Sequence, residues 1–175
     1  MPKYVAFLRA INVGGHTVKM ERLRALFEEL AFSNIETFIA SGNVIFDSPS
    51  KSSRTLERNI EGLLRSALGY EVATFIRSVS EVAEIARYKA FPDADSHTLY
   101  IVFIRDEPGA DVEKKLLSCN NRVDEFHVKG RTVFWLCRKK FSASEFSGAL
   151  LEKTIQMPAT IRNANTIRKI ATKYS

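Results

Sequence analysis

Polar side chains and glycines occupy three segments of the chain where a strand or a helix would otherwise continue. The segments contain, in order, Arg9, Asn12, Gly14, Gly15 and His16; then Ser41, Gly42 and Asn43; then Arg162, Asn163 and Asn165. Guanidinium groups, side-chain amides and the N–H groups of glycine-rich backbone are donors that bind oxyanions. The segments therefore predict a binding site for an anionic ligand, which could be a nucleotide, a phosphorylated metabolite or nucleic acid.

The third segment adds a helix terminus to this chemistry. Asn163 suits the N-cap of a helix, and the start of a helix carries free N–H groups and a partial positive charge. Arg168 and Lys169 follow about one turn later. A helix N-terminus beside basic side chains favours a bound anion.

Each segment also has a purely structural interpretation. Residues 9–16 suit a plain strand-to-helix connection, residues 41–43 suit a hairpin turn in which glycine supplies positive φ, and Asn163 suits a cap beside a solvated basic face. Two further alternatives to ligand binding stay open. One is an enzyme that acts on a small phosphorylated or acyl substrate in the same pocket. The other is a structural or oligomeric protein, for example a homodimer, whose polar segments only fix loops.

Catalysis finds little support in the spacing of reactive residues. No spacing links a nucleophile, a histidine and an orienting acid, and no nucleophile-elbow or phosphate-loop pattern occurs. The Gly14-Gly15 pair lacks the third glycine of a dinucleotide-binding fingerprint. His16, as a general acid or base, and Ser41 are the candidates for a catalytic role.

Composition indicates a folded protein and locates its positive charge. Of the 175 residues, 45% are hydrophobic and 26% are charged, which is ordinary for soluble domains. The N-terminus does not have the pattern of a signal peptide, and no apolar run approaches the roughly 18 residues of a membrane span. We therefore expect a cytoplasmic protein without a membrane partner. The cysteines, Cys119 and Cys137, do not suggest a disulfide framework, and the histidines are scattered, so we expect no metal and no cofactor.

The net charge of +6 is unevenly distributed. Residues 1–128 carry a net charge of −2, whereas residues 129–175 carry +8. This asymmetry indicates either an anionic partner or a solubilising surface. The segment from Lys129 to Phe134 resembles an RNA-recognition strand only superficially, because it lacks the first aromatic residue of that consensus. This segment therefore gives nucleic acid only weak support, and nucleic acid stays open as an anionic partner because of the basic charge alone.

Hydrophobic periodicity and turn residues predict the elements that position these segments. We expect strands near 3–10, 34–40, 43–47, 71–77, 98–104, 123–128 and 131–137, and helices near 19–31, 54–68, 79–88, 110–119, 143–152 and 164–173. Gly69 should end the second helix. Capping boxes at Ser78–Glu81 and Ser142–Glu145 should open two later helices. A last strand is either missing or replaced by residues 154–162.

The first half of the chain therefore has the order β-α-β-β-α-β, and the second half begins the same order again. This order is typical of ferredoxin-like domains. It predicts an α+β protein of two ferredoxin-like halves, residues 1–78 and residues 79–175, with helices packed on antiparallel sheets and a basic C-terminal helix in the second half.

Three motifs resemble one bacterial family. They are Tyr4-Val5-Ala6-Phe7-Leu8-Arg9-Ala10-Ile11-Asn12-Val13-Gly14-Gly15, Thr37-Phe38-Ile39-Ala40-Ser41-Gly42-Asn43-Val44-Ile45-Phe46 and Arg162-Asn163-Ala164-Asn165-Thr166. Together they resemble the domain of unknown function 1697 family over nearly the whole chain. The resemblance implies a pair of ferredoxin-like subdomains and no established activity, substrate or catalytic residue.

The chain departs from the family pattern at two positions. Ala10 stands where the family often has glycine, and Ala164 stands where it often has an aromatic residue. If that aromatic residue stacks on a ligand, the site of this protein is weaker. The three polar segments are the ones that carry the resemblance, so our hypothesis is that they meet in one site at the junction of the two halves.

Overall fold

The computed structural model of the protein describes residues 1–9, 11, 17–39, 42–139 and 147–175. Within these ranges, the chain is a mixed α/β protein with two four-stranded antiparallel sheets and six α-helices. It divides into two compact units, residues 1–84 with 170–175 and residues 85–169. The predicted division between residues 78 and 79 stays a prediction. Across the described ranges, every helix is too short or too polar to cross a lipid bilayer.

The first unit is built on a sheet with the strand order β2-β3-β1-β4. Its elements are β1 (Lys3–Leu8), α1 (Met20–Glu28), β2 (Ser33–Thr37), β3 (Asn43–Asp47), α2 (Ser53–Leu68), β4 (Thr74–Ser78) and the start of α3 (Val79–Arg87). The central strand β1 pairs antiparallel with both β3 and β4, and Tyr4 lies opposite Phe46 and Ser78.

The helices of the first unit form where apolar residues recur at helical spacing. Leu23, Leu26 and Phe27 of α1, and Leu56, Ile60 and Leu64 of α2, are buried in one cluster with alternate residues of β1 and β3. Burial of this apolar face is what stabilises such helices. The predicted end of α2 at Gly69 is confirmed, since Gly69 has φ of 82° and its N–H donates to the Arg65 carbonyl at 2.9 Å.

The second unit has a sheet with the strand order β6-β7-β5-β8. Its elements are β5 (Thr98–Ile104), α4 (Ala110–Leu117), β6 (Asp124–Lys129), β7 (Thr132–Cys137), α5 (Gly148–Ile155), β8 (Ala159–Asn163) and the first part of α6 (Ala164–Tyr174). A 3₁₀ turn at Ala94–Ser96 precedes β5. Tyr100 of the central strand lies opposite Trp135 and Asn163.

Two expectations for the second unit change in the structure. A last strand, β8, is present, and it begins at Ala159, within the segment 154–162 that was expected to take its place. The helix expected near 143–152 begins at Gly148, where the Ser147 hydroxyl accepts the Leu150 N–H at 3.1 Å. The predicted capping box at 142–145 lies outside the described residues.

Candidate functional site

Several predicted site residues of the first unit lie outside the described residues. They are Asn12, Gly14, Gly15 and Ser41, together with the catalytic candidate His16. Arg9 is exposed directly after β1, and its backbone N–H donates to the Ala73 carbonyl at 2.9 Å. This contact involves only the backbone, and a ligand-binding role of the Arg9 side chain stays a prediction.

Gly42 and Asn43 are fixed by the connection between β2 and β3. Gly42 has φ of 78°, and a Cβ atom at this position would lie 3.0 Å from Ile11 Cγ2 and 3.1 Å from Leu8 Cβ. The buried Asn43 donates from Nδ2 to the Phe38 carbonyl at 3.1 Å. Both residues line a crevice of only about 10 Å³. These contacts support the structural interpretation of the second segment.

Arg162 lies in the edge strand β8 with its guanidinium buried. Nη1 donates to Thr160 Oγ1 at 2.7 Å and to the Ile161 carbonyl at 3.0 Å. Burial lowers the pKa of this guanidinium from 12.5 to about 10, because desolvation disfavours the charged form. Arg162 therefore stays charged at neutral pH.

The start of α6 borders a hollow of about 180 Å³ within the second unit. Its lining comes from the 3₁₀ turn (Ala94, Asp95), from the start of β5 (His97, Thr98, Leu99) and from the β8–α6 corner (Asn163, Ala164, Asn165, Arg168). Leu99 and Ala164 are nearly buried, whereas the charged and amide-bearing residues are exposed. The hollow is thus a polar depression that opens to solvent.

The β8–α6 corner presents positive charge and donors to the hollow. Asn163 Oδ1 accepts the Asn165 N–H at 2.9 Å, which is the N-cap interaction expected from the sequence. Arg168 Nη1 donates to Asn165 Oδ1 at 2.9 Å. A guanidinium has several N–H donors, so this single bond leaves others for a ligand. The first turn of α6 contains no acidic residue.

The part of the lining that the 3₁₀ turn supplies is held by an ion-pair network. Arg138 donates from Nε to Asp93 at 3.2 Å and from Nη2 to Glu125 at 2.9 Å. These carboxylates raise the pKa of Arg138, and Arg138 holds the pKa of Asp93 below its ordinary value. Asp93 Oδ2 also lies 3.5 Å from His97 Nε2. The network fixes both ends of the 3₁₀ turn.

The corresponding edge strand in the first unit is closed by carboxylates. Helix α2 and the first turn of α3 supply glutamates that accept the outward N–H groups of β4. The pairs are Glu61 with Thr74 at 3.0 Å, Glu57 with Ile76 at 3.0 Å and Glu81 with Ser78 at 2.9 Å. The Ser78 hydroxyl accepts the Glu81 N–H at 3.1 Å in return, which confirms the predicted capping box.

Among the residues that the structure describes, the edge of β8 has fewer carboxylates than that of β4. Glu152 of α5 accepts the Ala159 N–H at 3.1 Å, as Glu61 does for β4. One turn before Glu152, α5 has Gly148, whereas α2 has Glu57 one turn before Glu61. The third residue of α6 is Thr166, whereas the third residue of α3 is Glu81. A helix start without its own carboxylate keeps an electrostatic preference for an anion.

The sequence analysis missed two residues that also line the hollow, Asp95 and His97. Asp95 and His97 lie in a polar segment that precedes β5, far along the chain from Asn163. The detectable signal was the second occurrence of a strand motif, Tyr100 to Arg105, after Tyr4 to Arg9. Aligning these motifs would have placed the segment before β5 beside β8. Within the described residues, no group of His, Cys, Asp and Glu side chains could hold a metal ion.

Comparisons with known proteins agree with the fold and the family. The structure of conserved bacterial protein SP0830 from Streptococcus pneumoniae matches with a TM-score of 0.78 and 25% identity, covering 99% of this chain and 98% of that chain. No curated protein matches the sequence significantly. The model of the family described as protein of unknown function (DUF1697) matches residues 1–134. The chain therefore belongs to the DUF1697 family.

Proposed function

We propose that the two units are ferredoxin-like repeats of one ancestral domain, and that the second repeat binds a small anion at the start of α6. The repeat proposal is supported by element order, since β1-α1-β2-β3-α2-β4-α3 corresponds to β5-α4-β6-β7-α5-β8-α6. The sheet orders, β2-β3-β1-β4 and β6-β7-β5-β8, correspond in the same way. In this alignment the last strand of each sheet leads directly into a capped helix.

Strand register supports the same alignment residue by residue. Tyr4 and Tyr100 each lie opposite an aromatic residue on one side and a helix-capping residue on the other. The segments that begin at these tyrosines, Tyr-Val-Ala-Phe-Leu-Arg and Tyr-Ile-Val-Phe-Ile-Arg, keep Tyr, Phe and Arg at matching positions. Arg77 and Arg162 occupy matching places, and each donates from Nη1 to the preceding carbonyl.

The observation that carries the functional proposal is the polar hollow at the start of α6. The helix start, Arg168 and the amide of Asn165 border one volume of about 180 Å³. The matching helix start in the first repeat is neutralised by Glu81, whereas α6 has Thr166 there and Arg168 where α3 has Ala83. Within the described residues, the first turn of α6 thus has no carboxylate in the place of Glu81 and has an added cation, so this helix start favours an external anion.

The size of the hollow limits the ligand. A volume of about 180 Å³ is smaller than the roughly 300 Å³ at which pockets for drug-sized molecules begin. Inorganic phosphate, a carboxylate or a short phosphomonoester fits this volume, and a whole nucleotide does not. Participation of Arg9, Arg162 and the residues outside the described ranges in the same site stays a prediction.

Calorimetric titration with inorganic phosphate tests the proposal. The test variant is Arg168→Gln, and the matched control is Lys169→Gln, which removes the same charge from the next, exposed residue of α6 that does not line the hollow. We expect the wild type and Lys169→Gln to bind phosphate with similar Kd values. Arg168→Gln should raise the Kd about fivefold or more, because a hydrogen bond to a charged group contributes about 1.5–3 kcal/mol before solvent screening. If both variants weaken phosphate binding equally, the Kd depends on the net charge of the protein and not on Arg168. If Arg168→Gln binds phosphate as the wild type does, the site is refuted.

A further inference from the structure

The hollow beside α6 carries charges of both signs, which narrows the class of ligand beyond a simple anion. Arg168 and the start of α6 contribute to its lining, and so does Asp95 of the 3₁₀ turn. A carboxylate in the lining opposes the binding of a purely anionic ligand and attracts a hydrogen-bond donor or a cation. The hollow therefore offers partners for an anionic group and for a cationic group.

The wall that carries Asp95 is held in place independently of any ligand. Asp93, at the beginning of the turn, accepts hydrogen bonds from Nε and Nη2 of Arg138 at 3.2 and 3.4 Å. His97, at the end of the turn, lies 3.5 Å from the Asp93 carboxylate. Because both ends of the turn contact one carboxylate, the backbone that carries Asp95 is held beside the hollow. A carboxylate on a fixed turn discriminates between ligands better than one on a freely moving loop.

We infer that the ligand is a compact zwitterion, with an anionic group at Arg168 and the start of α6 and an ammonium group at Asp95. This inference rests on the proposed anion-binding function of the same hollow. A phosphate or carboxylate joined to an ammonium through a short linker has the required charges. With only a few linking atoms, such a molecule also fits a volume of about 180 Å³.

Two probes that differ in one group separate the inference from the proposed function. Ethyl phosphate has the anionic group alone, and phosphoethanolamine has the same group with a terminal ammonium. At low ionic strength we expect phosphoethanolamine to bind the wild type about two- to fivefold more tightly, the range that an exposed ion pair provides. Asp95→Asn should remove this preference and leave the Kd of ethyl phosphate unchanged or slightly lower.

Each outcome has a defined meaning. If both probes bind the wild type equally, or if Asp95→Asn keeps the preference, the zwitterion inference is overturned while anion binding stands. If neither probe binds and inorganic phosphate also fails, the proposed function itself is overturned. Asp111→Asn, in the first turn of α4, is the matched control, since Asp111 does not line the hollow and its substitution should leave the preference intact.

Discussion

Replacing Thr166 with glutamate should give α6 the internal anion that α3 already has. In α3 the Glu81 carboxylate accepts the Ser78 N–H at 2.9 Å, and strand register puts the Asn163 N–H at the matching place beside α6. The new carboxylate should form the same contact and stabilise the helix start by about 0.3–1 kcal/mol. It should also occupy the positive end of the hollow, so that an external anion meets a like charge.

The loss of affinity follows from the charge separation. Two like charges about 6 Å apart repel by about 0.7 kcal/mol at the dielectric constant of water and by about 2.8 kcal/mol at an effective value of 20. The geometric mean of these two energies is about 1.4 kcal/mol, which corresponds to a tenfold rise in the Kd of phosphate. Titration calorimetry measures that Kd, and urea denaturation measures the free energy of unfolding of the same sample.

The matched control is Thr172→Glu, the same substitution in the last turn of α6. Its carboxylate lies more than a turn farther from the helix start, where salt screens its charge, so phosphate should bind as in the wild type. It should not stabilise the helix, because a negative charge near a C-terminus is unfavourable. If Thr166→Glu binds phosphate as tightly as Thr172→Glu does, the comparison between α3 and α6 does not explain the hollow.

Three further predictions concern the framework. Glu57→Ala should lower the free energy of unfolding by about 1–3 kcal/mol in urea denaturation, because a buried N–H of β4 loses its acceptor. The control Glu71→Ala removes an exposed ion pair and should change that free energy by less than about 0.5 kcal/mol. Gly42→Ala should destabilise more than Gly69→Ala by at least about 1 kcal/mol in thermal melts, because both glycines have positive φ but only Gly42 has atoms within 3.0–3.3 Å of the added Cβ; equal losses would contradict this account. The folded-state pKa of Asp93 is lowered, so the stability that its ion pair adds is present above the ordinary pKa near 4 and is lost as the pH falls below it. Asp93→Asn should therefore show a smaller loss of stability than the wild type between pH 5 and about pH 3, measured by urea denaturation, and an unchanged acid response would refute this role.

Local signals predicted much of the fold. The Ser78–Glu81 box and Gly69 define helix ends through contacts between neighbouring residues, so sequence spacing alone was sufficient. The strand β8 was only half anticipated. Its Ala159 N–H donates to Glu152 of α5, and its other edge pairs with β5, a strand far away in the chain. Tertiary pairing of this kind leaves little trace in local periodicity.

The candidate site was predicted only in part for the same reason. Asn163 and Asn165 were identified because capping chemistry is local, and the structure places both on the hollow. Asp95 and His97 join them only because β5 pairs with β8, a contact between residues 55 to 63 positions apart in the chain. Asn43 was expected to orient a ligand, but its buried amide bonds to the Phe38 carbonyl, which supports the alternative interpretation of a turn.

The most direct test of anion binding at α6 is a titration of ¹⁵N-labelled protein with inorganic phosphate, followed through assigned backbone amide shifts. The account predicts saturable shifts concentrated at residues 163–168 and 94–99, with the start of α3 at residues 79–82 unaffected because Glu81 already occupies it. Shifts of equal size at both helix starts, or no saturable shift at residues 163–168, would contradict it.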